Sequence, residues 1–316
     1  MSAALLFALL ACEESSSSGE TGAGGSGTGG GGSGAGGSGA GGTGGASECE
    51  IATAQKQVID CEGLSYDLSL SDECGANGCG LIVDVHGFTM SGAMQEANTN
   101  LAALATAEGF VVLQPNANPD PPGSSWVAAD DDARVIAFVE RVISTLAIDP
   151  MRVHFTGFSQ GGDMTWRMLC NHTELFASVA PAAFGHGANE LCFTQNAPPP
   201  PIPILFLFGT TDALVPYAEA VAARDRIIAA YTLGAASTVS ESEDHRWLRY
   251  EGANGELLEF LDHDYTGVSI IEGHCFPGSE DPGTLQGQLF SYKCDQPSAF
   301  HWGESVLAFF KAHPKP

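Results

Sequence analysis

Six short apolar runs constrain this chain most: Leu81–Val85, Phe110–Leu113, Arg152–Thr156, Ser178–Ala180, Ile204–Phe208 and Val268–Ile271. None alternates apolar with polar residues as a strand with one wet face would, so each is expected to be covered on both faces. Between them lie stretches of helical character, chiefly Met94–Glu108, Asp130–Ala147, Gln160–Cys170, Ala218–Tyr231 and Glu304–Ala312. Strands and helices in alternation imply a three-layer α/β domain around a mostly parallel sheet. In such sheets chemistry collects beyond the carboxyl ends of the strands, and reactive residues are to be sought in the loops there.

The chain opens MSAALLFALLAC, an apolar segment too short to span a bilayer, which takes about 20 apolar residues. It reads as an export signal. Its end, Leu9-Leu10-Ala11-Cys12, is similar to a lipoprotein lipobox, in which Cys12 would carry the lipid. The segment has no Lys or Arg and Leu10 is bulky for its place, so an ordinary cleaved secretory signal is the other reading. Export follows from both. Residues 13–47 are almost wholly Ser, Gly, Thr and Ala, a composition that builds a flexible tether rather than a core. Residues 48–316 are then expected to form a single domain.

Of nine cysteines, Cys12 belongs to the signal, and the remaining eight suggest four disulfides in an exported protein. Pairing of sequence neighbours is expected: Cys49 with Cys61, Cys74 with Cys79, Cys170 with Cys192, Cys275 with Cys294. There is no CxxC pair, so neither a structural zinc nor any other metal or cofactor is expected. The excess of 38 Asp and Glu over 12 Lys and Arg repels nucleic acid and anionic lipid headgroups, which leaves a neutral substrate as the expected partner. The triplet Asp130-Asp131-Asp132 could suggest a metal site, but acidic residues are favoured in the first turn of a helix, and that reading is preferred. Pro198–Pro201 reads as a stiff lead into the run ILFLF.

The segment T-G-F-S-Q-G-G, residues 156–162, follows a strand-like run and precedes a helical one. Between a strand and a helix, the pattern G-x-S-x-G forces its serine into a tight turn with the hydroxyl exposed, which makes Ser159 a candidate nucleophile. A serine hydroxyl needs a base to take its proton, and the base needs an acid to fix its tautomer. Asp212, in FGTTDALVPY just past ILFLF, is the candidate acid. His274, in IIEGHCFPG just past VSII, is the candidate base, with His301 in AFHWGE as its rival. Cys275 adjoins His274, but neighbours in an extended loop point apart, so it is expected in a disulfide that anchors the histidine loop. A tetrahedral intermediate also requires preorganised donors. The backbone N–H groups of Gln160 and of Phe88, in VHGFTMSG, are expected to supply them, the former mattering more than the Gln160 side chain. His86 is expected to shape the turn before Phe88. Among the aromatic residues near these loops, Phe276 and Trp126 are expected to line a substrate pocket.

Together VDVHGF, the block from Trp126 to Trp166, FGTTDALVPY and EGHCFPG resemble the α/β-hydrolase superfamily. Within it they are similar to the secreted polyhydroxybutyrate depolymerase and feruloyl or acetylxylan esterase group. The resemblance covers most of residues 75–312 and implies Ser159, Asp212 and His274 as nucleophile, acid and base. It also implies a carboxylic-ester substrate, such as a polyester, an acylated polysaccharide or a small ester, and an extracellular or envelope location. Many relatives have Trp in the GHxWPG segment where this chain has Phe276, and often Asn where it has Gln160. A catalytically inactive, surface-anchored polymer-binding protein on the same fold is the reading from another class.

Overall fold

The structure, a computed structural model, describes residues 49–76, 78–185, 192–194, 198–280 and 287–316. The expected signal with Cys12 and the tether lie outside the described residues. Ten strands among the described residues form one sheet: β1 Lys56–Cys61, β2 Leu64–Ser69, β3 Cys79–Val85, β4 Phe110–Asn116, β5 Ile148–Phe158, β6 Ser178–Ala182, β7 Ile204–Gly209, β8 Ser237–Glu241, β9 His245–Glu251 and β10 Leu257–His263. Their order is β1-β2-β4-β3-β5-β6-β7-β10-β9-β8. The central strands from β4 to β10 run parallel. Antiparallel pairs close both edges, β1 with β2 and β2 with β4 on one side, β10 with β9 and β9 with β8 on the other.

Six α-helices among the described residues flank the sheet: α1 Gly92–Thr99, α2 Leu101–Thr106, α3 Asp130–Thr145, α4 Gln160–Asn171, α5 Tyr217–Ala230 and, after the last strand, α6 Trp302–Ala312. Successive strand residues point to opposite faces, and the core divides accordingly. Val83, Phe155, Phe206 and Phe208 pack with Phe138 of α3, Trp166 of α4 and Ile227 of α5. Ile82, Val112, Leu205 and Leu207 pack on the other face with Met94 of α1, Leu101 of α2 and Phe310 of α6. This is the three-layer α/β arrangement expected from the unalternating apolar runs.

Two local expectations are corrected. Val268–Ile271 is a turn, with Ile270 exposed, and the strand ahead of His274 is β10. The sequence LLEFLDH hides that strand because Glu259 and Asp262 sit inside it, and β9 supplies their partners. Arg249 Nε and Trp247 Nε1 each donate to Glu259 at 2.8 Å, and Arg246 donates to Asp262 at 2.6 Å. The single helix expected over Met94–Glu108 is two, because Asn100 adopts a left-handed φ of 53° and caps α1. The edge strands β1 and β8 went unread because they are short and largely exposed. Asp131 and Asp132 lie in the first turn of α3, where Asp131 accepts the Val127 N–H at 2.8 Å and Asp132 pairs with Arg167 at 2.6 Å. The disulfides among the described residues are Cys49–Cys61, Cys74–Cys79, Cys170–Cys192 and Cys275–Cys294, as expected.

Several ionisable side chains are fully buried. Asp84 in β3 accepts hydrogen bonds from Gln95 (2.7 Å), Thr99 (2.9 Å) and Gln114 (3.0 Å), yet burial pushes its carboxyl up to about 6. Burial pushes His86 down to about 4, His154 to about 3 and His263 to about 4.

Phe206 meets Trp166, Phe208 and Phe260 edge to face and is wholly buried. Phe206→Ala should therefore cost about 3–5 kcal/mol in chemical denaturation, and a loss below about 1 kcal/mol would contradict this core. The buried histidines generate a second expectation. Each is neutral in the fold but takes a proton in the unfolded chain below its ordinary value of 6.5. Each therefore removes stability as pH falls from there toward about 4. Asp84, shifted the other way, gains stability over the overlapping range and offsets one of the three. The melting temperature should fall between pH 7 and pH 4.5, and more steeply in Asp84→Asn; a melting temperature that is level or rises on acidification would refute this.

Candidate active site

Ser159 joins β5 to α4 with φ 55° and ψ −118°, a left-handed conformation that a non-glycine residue holds only where packing enforces it. Its N–H donates to Ala182 O of β6 at 2.9 Å, and its carbonyl accepts from Asp163 N in the first turn of α4. The flanking glycines allow this turn to press on the end of β3. A Cβ on Gly161 would lie 2.1 Å from Val85 O, and one on Gly157 would lie 2.3 Å from Gly161 O. Ser159 remains partly exposed above the sheet.

Asp212 lies in the loop beyond the carboxyl end of β7. Its Oδ1 accepts the Leu214 and Val215 N–H groups, both at 2.8 Å, and its Oδ2 accepts the His274 Nδ1–H at 2.6 Å. Both side chains are almost fully withdrawn from solvent. The acid and base loops are stitched together by Ala213 N–H to Ile271 O and by Gly273 N–H to Thr211 O, each 3.2 Å. On its other side the histidine loop is tied by Cys275–Cys294, and Phe276 N–H donates to Tyr292 O at 2.8 Å. With Nδ1 committed to Asp212, His274 Nε2 is buried and without a hydrogen bond among the described residues. The Phe158 ring, next to Ser159 in sequence, lies 4.9 Å from the His274 ring. Nucleophile, base and acid candidates therefore share one patch of the sheet's carboxyl edge.

The loop after β3 completes that patch. His86 Nδ1 donates to Gly87 O at 2.7 Å, and Nε2 accepts the Ala117 N–H at 3.0 Å. Because burial keeps this ring neutral, it can serve as donor on one nitrogen and acceptor on the other. The Trp126 Nε1–H donates to His86 O at 2.8 Å, and Thr89 N–H donates to Ser124 O at 2.9 Å. A Cβ on Gly87 would sit 3.1 Å from Ser159 Cβ, so this backbone lies directly against the serine turn. Neither the Phe88 nor the Gln160 backbone N–H is spent on a hydrogen bond among the described residues.

The expected pocket aromatics sit elsewhere. Phe276 is fully buried and stacks on Phe158 at 3.9 Å, because the cystine beside it draws this loop into the core. Trp126 is 4% exposed and is spent on holding His86 and on core packing. The Gln160 side chain also has more to do than expected. Its Oε1 accepts Trp126 N–H at 3.0 Å, while Nε2 donates to Trp126 O at 3.2 Å and to Ser125 Oγ at 3.1 Å. It thus clamps the loop that supports His86. The rival base, His301, is the exposed residue just before α6. Sequence reasoning missed Tyr292, Thr89 and Ser124, which brace the Phe88 loop by contacts distant in sequence, and no local motif marks them.

Residues 125–250 match the phospholipase/carboxylesterase family. Feruloyl esterase B of Piromyces equi is 29% identical over 143 residues, which are 43% of this chain and 27% of that protein. Poly(3-hydroxyalkanoate) depolymerase C of Paucimonas lemoignei is 31% identical over 115 residues, 33% of this chain and 28% of that protein. The chain thus spans about a quarter of the length of these curated relatives. Among solved structures, the acetyl xylan esterase from Aspergillus awamori superposes with a TM-score of 0.51 at 15% identity, over 66% of this chain and 93% of that one, a likeness of fold. Over part of its length the chain is thus similar to the phospholipase/carboxylesterase family and to these esterases, and its likeness to the solved acetyl xylan esterase is one of fold.

Proposed function

We propose that this chain is an exported serine esterase that cleaves carboxylic esters through an acyl-enzyme. The observation that carries the reading is the buried His274–Asp212 pair, whose Nε2 is left free beside the strained Ser159 turn. Ser159 Oγ attacks the ester carbonyl as its proton passes to His274 Nε2. Asp212 holds the imidazole in the tautomer that accepts there and offsets the charge that develops. The carbonyl oxygen becomes an oxyanion facing the N–H groups of Phe88 and Gln160, the latter at the positive end of α4. The intermediate collapses, the leaving alcohol takes the proton from His274, and water then repeats the sequence on the acyl-serine.

The net charge of −26 favours a neutral substrate. A polyhydroxyalkanoate-type polyester is the first reading, after the resemblance of the motif loops. Acyl esters on plant-wall polysaccharide are the second, favoured by the similarity to feruloyl esterase B. The disulfides fit an oxidising compartment outside the cytoplasm. A single catalytic domain over residues 48–316, carried on the Gly/Ser-rich tether and held at Cys12 if that residue is lipidated, fits the same reading.

Ser159→Ala should lower turnover of a soluble ester by roughly 10⁴-fold or more while the melting temperature holds. A panel releasing hydroxybutyrate oligomers, ferulate or acetate separates the two substrate readings. Undiminished turnover in Ser159→Ala would refute the role of Ser159. Polymer binding without hydrolysis by the parent protein would favour an inactive binding protein instead.

A further inference from the structure

Tyr292 is buried in the segment closed by Cys275–Cys294, and its hydroxyl leaves that segment to meet the loop after β3. It donates to Phe88 O at 3.3 Å and lies 3.1 Å from Thr89 Oγ1, so Thr89 can donate to the phenol oxygen in turn. Burial pushes the phenol up to about 12, and it remains a protonated donor at any working pH. Its ring packs edge-on to Phe158, with centroids 6.0 Å apart, and against Phe290 at 4.9 Å. The same residue's carbonyl accepts Phe276 N–H, two positions beyond His274.

The geometry around Phe88 gives these contacts a consequence. A trans peptide directs its N–H opposite its C=O, so the Phe88 N–H is aimed by whatever holds Gly87 O. His86 Nδ1 and Met90 N–H hold that oxygen. The next peptide, from Phe88 O to Thr89 N–H, is held on its N–H by Ser124 O at 2.9 Å, and its oxygen needs a partner on the other side. Tyr292 is the group that holds the oxygen, opposite Ser124 on the N–H, and Thr89, strained at φ 64°, closes the same contact. Resting on the esterase reading above, we propose that Tyr292 is a positioning residue for the oxyanion donor at Phe88, coupling the aim of that N–H to the disulfide-closed segment that begins at the residue after the base. The cystine-closed segment thereby adjoins the proton acceptor at its first residue and, through Tyr292, braces one charge-stabilising donor.

Such a role acts on the transition state and hardly on the ground state. Tyr292→Phe, which removes one oxygen and keeps the ring, should lower kcat on a soluble ester about tenfold with KM changed less than about twofold. The rate of serine labelling by a fluorophosphonate should fall by a similar factor. Thr89→Val, which removes the partner hydroxyl at nearly constant volume, should lower kcat as well, and the double variant should be little worse than the poorer single one. Melting temperatures recorded beside the kinetics exclude unfolding at the assay temperature. An unchanged kcat in Tyr292→Phe, or fully additive losses in the double variant, overturns the positioning role while the esterase reading stands. Absence of ester turnover in the parent protein, or its survival in Ser159→Ala, overturns both.

Discussion

Ser159 occupies a backbone conformation that a residue with a side chain adopts only under compulsion, at φ 55° and ψ −118°. Strain of this kind costs of order 1–3 kcal/mol and persists only where the surroundings over-determine it. Here they do so by contact between backbones. Gly161 leaves no room for a side chain against Val85 O, Ser159 N–H is taken by Ala182 O, and α4 begins at the next residue. β3, β5, β6 and α4 must therefore all be in register before the serine hydroxyl can stand above the sheet.

The rest of the site is built outward from that turn. Phe158 faces the core, where it touches His274, Phe276 and Tyr292. The residue preceding the candidate nucleophile is thus the floor on which the base loop and the cystine segment rest. Gly87 meets Ser159 from the other side, and its loop is held by His86, Trp126 and Tyr292. The polar contacts are committed with little slack: two N–H groups and one imidazole on Asp212, and three bonds from the Gln160 amide to a single loop. Preorganisation of this sort lets donors stabilise charge without reorganising as it forms.

The central sheet was legible because buried parallel strands are continuous apolar runs, and the loops that end them carry short motifs. That Asp212 and His274 would meet could be read from their places after apolar runs, although the run credited to His274 was wrong. β10 was illegible because the charges inside it are neutralised by arginines on β9, a pairing visible only in three dimensions. Phe276 and Trp126 were misread for a related reason. An aromatic residue beside a reactive loop looks the same in sequence whether it faces a ligand or, as here, a cystine or a backbone carbonyl. Tyr292 carries no local signal, since its contacts reach Thr89 across more than half of the described chain.

The measurement that tests the central claim most directly is a crystal structure of the protein after reaction with a small fluorophosphonate ester. The phosphorus should be bonded to Ser159 Oγ, with its phosphoryl oxygen about 3 Å from the N–H groups of both Phe88 and Gln160 and His274 Nε2 facing the serine oxygen. An adduct on another residue, or a phosphoryl oxygen turned away from both N–H groups, would contradict the account.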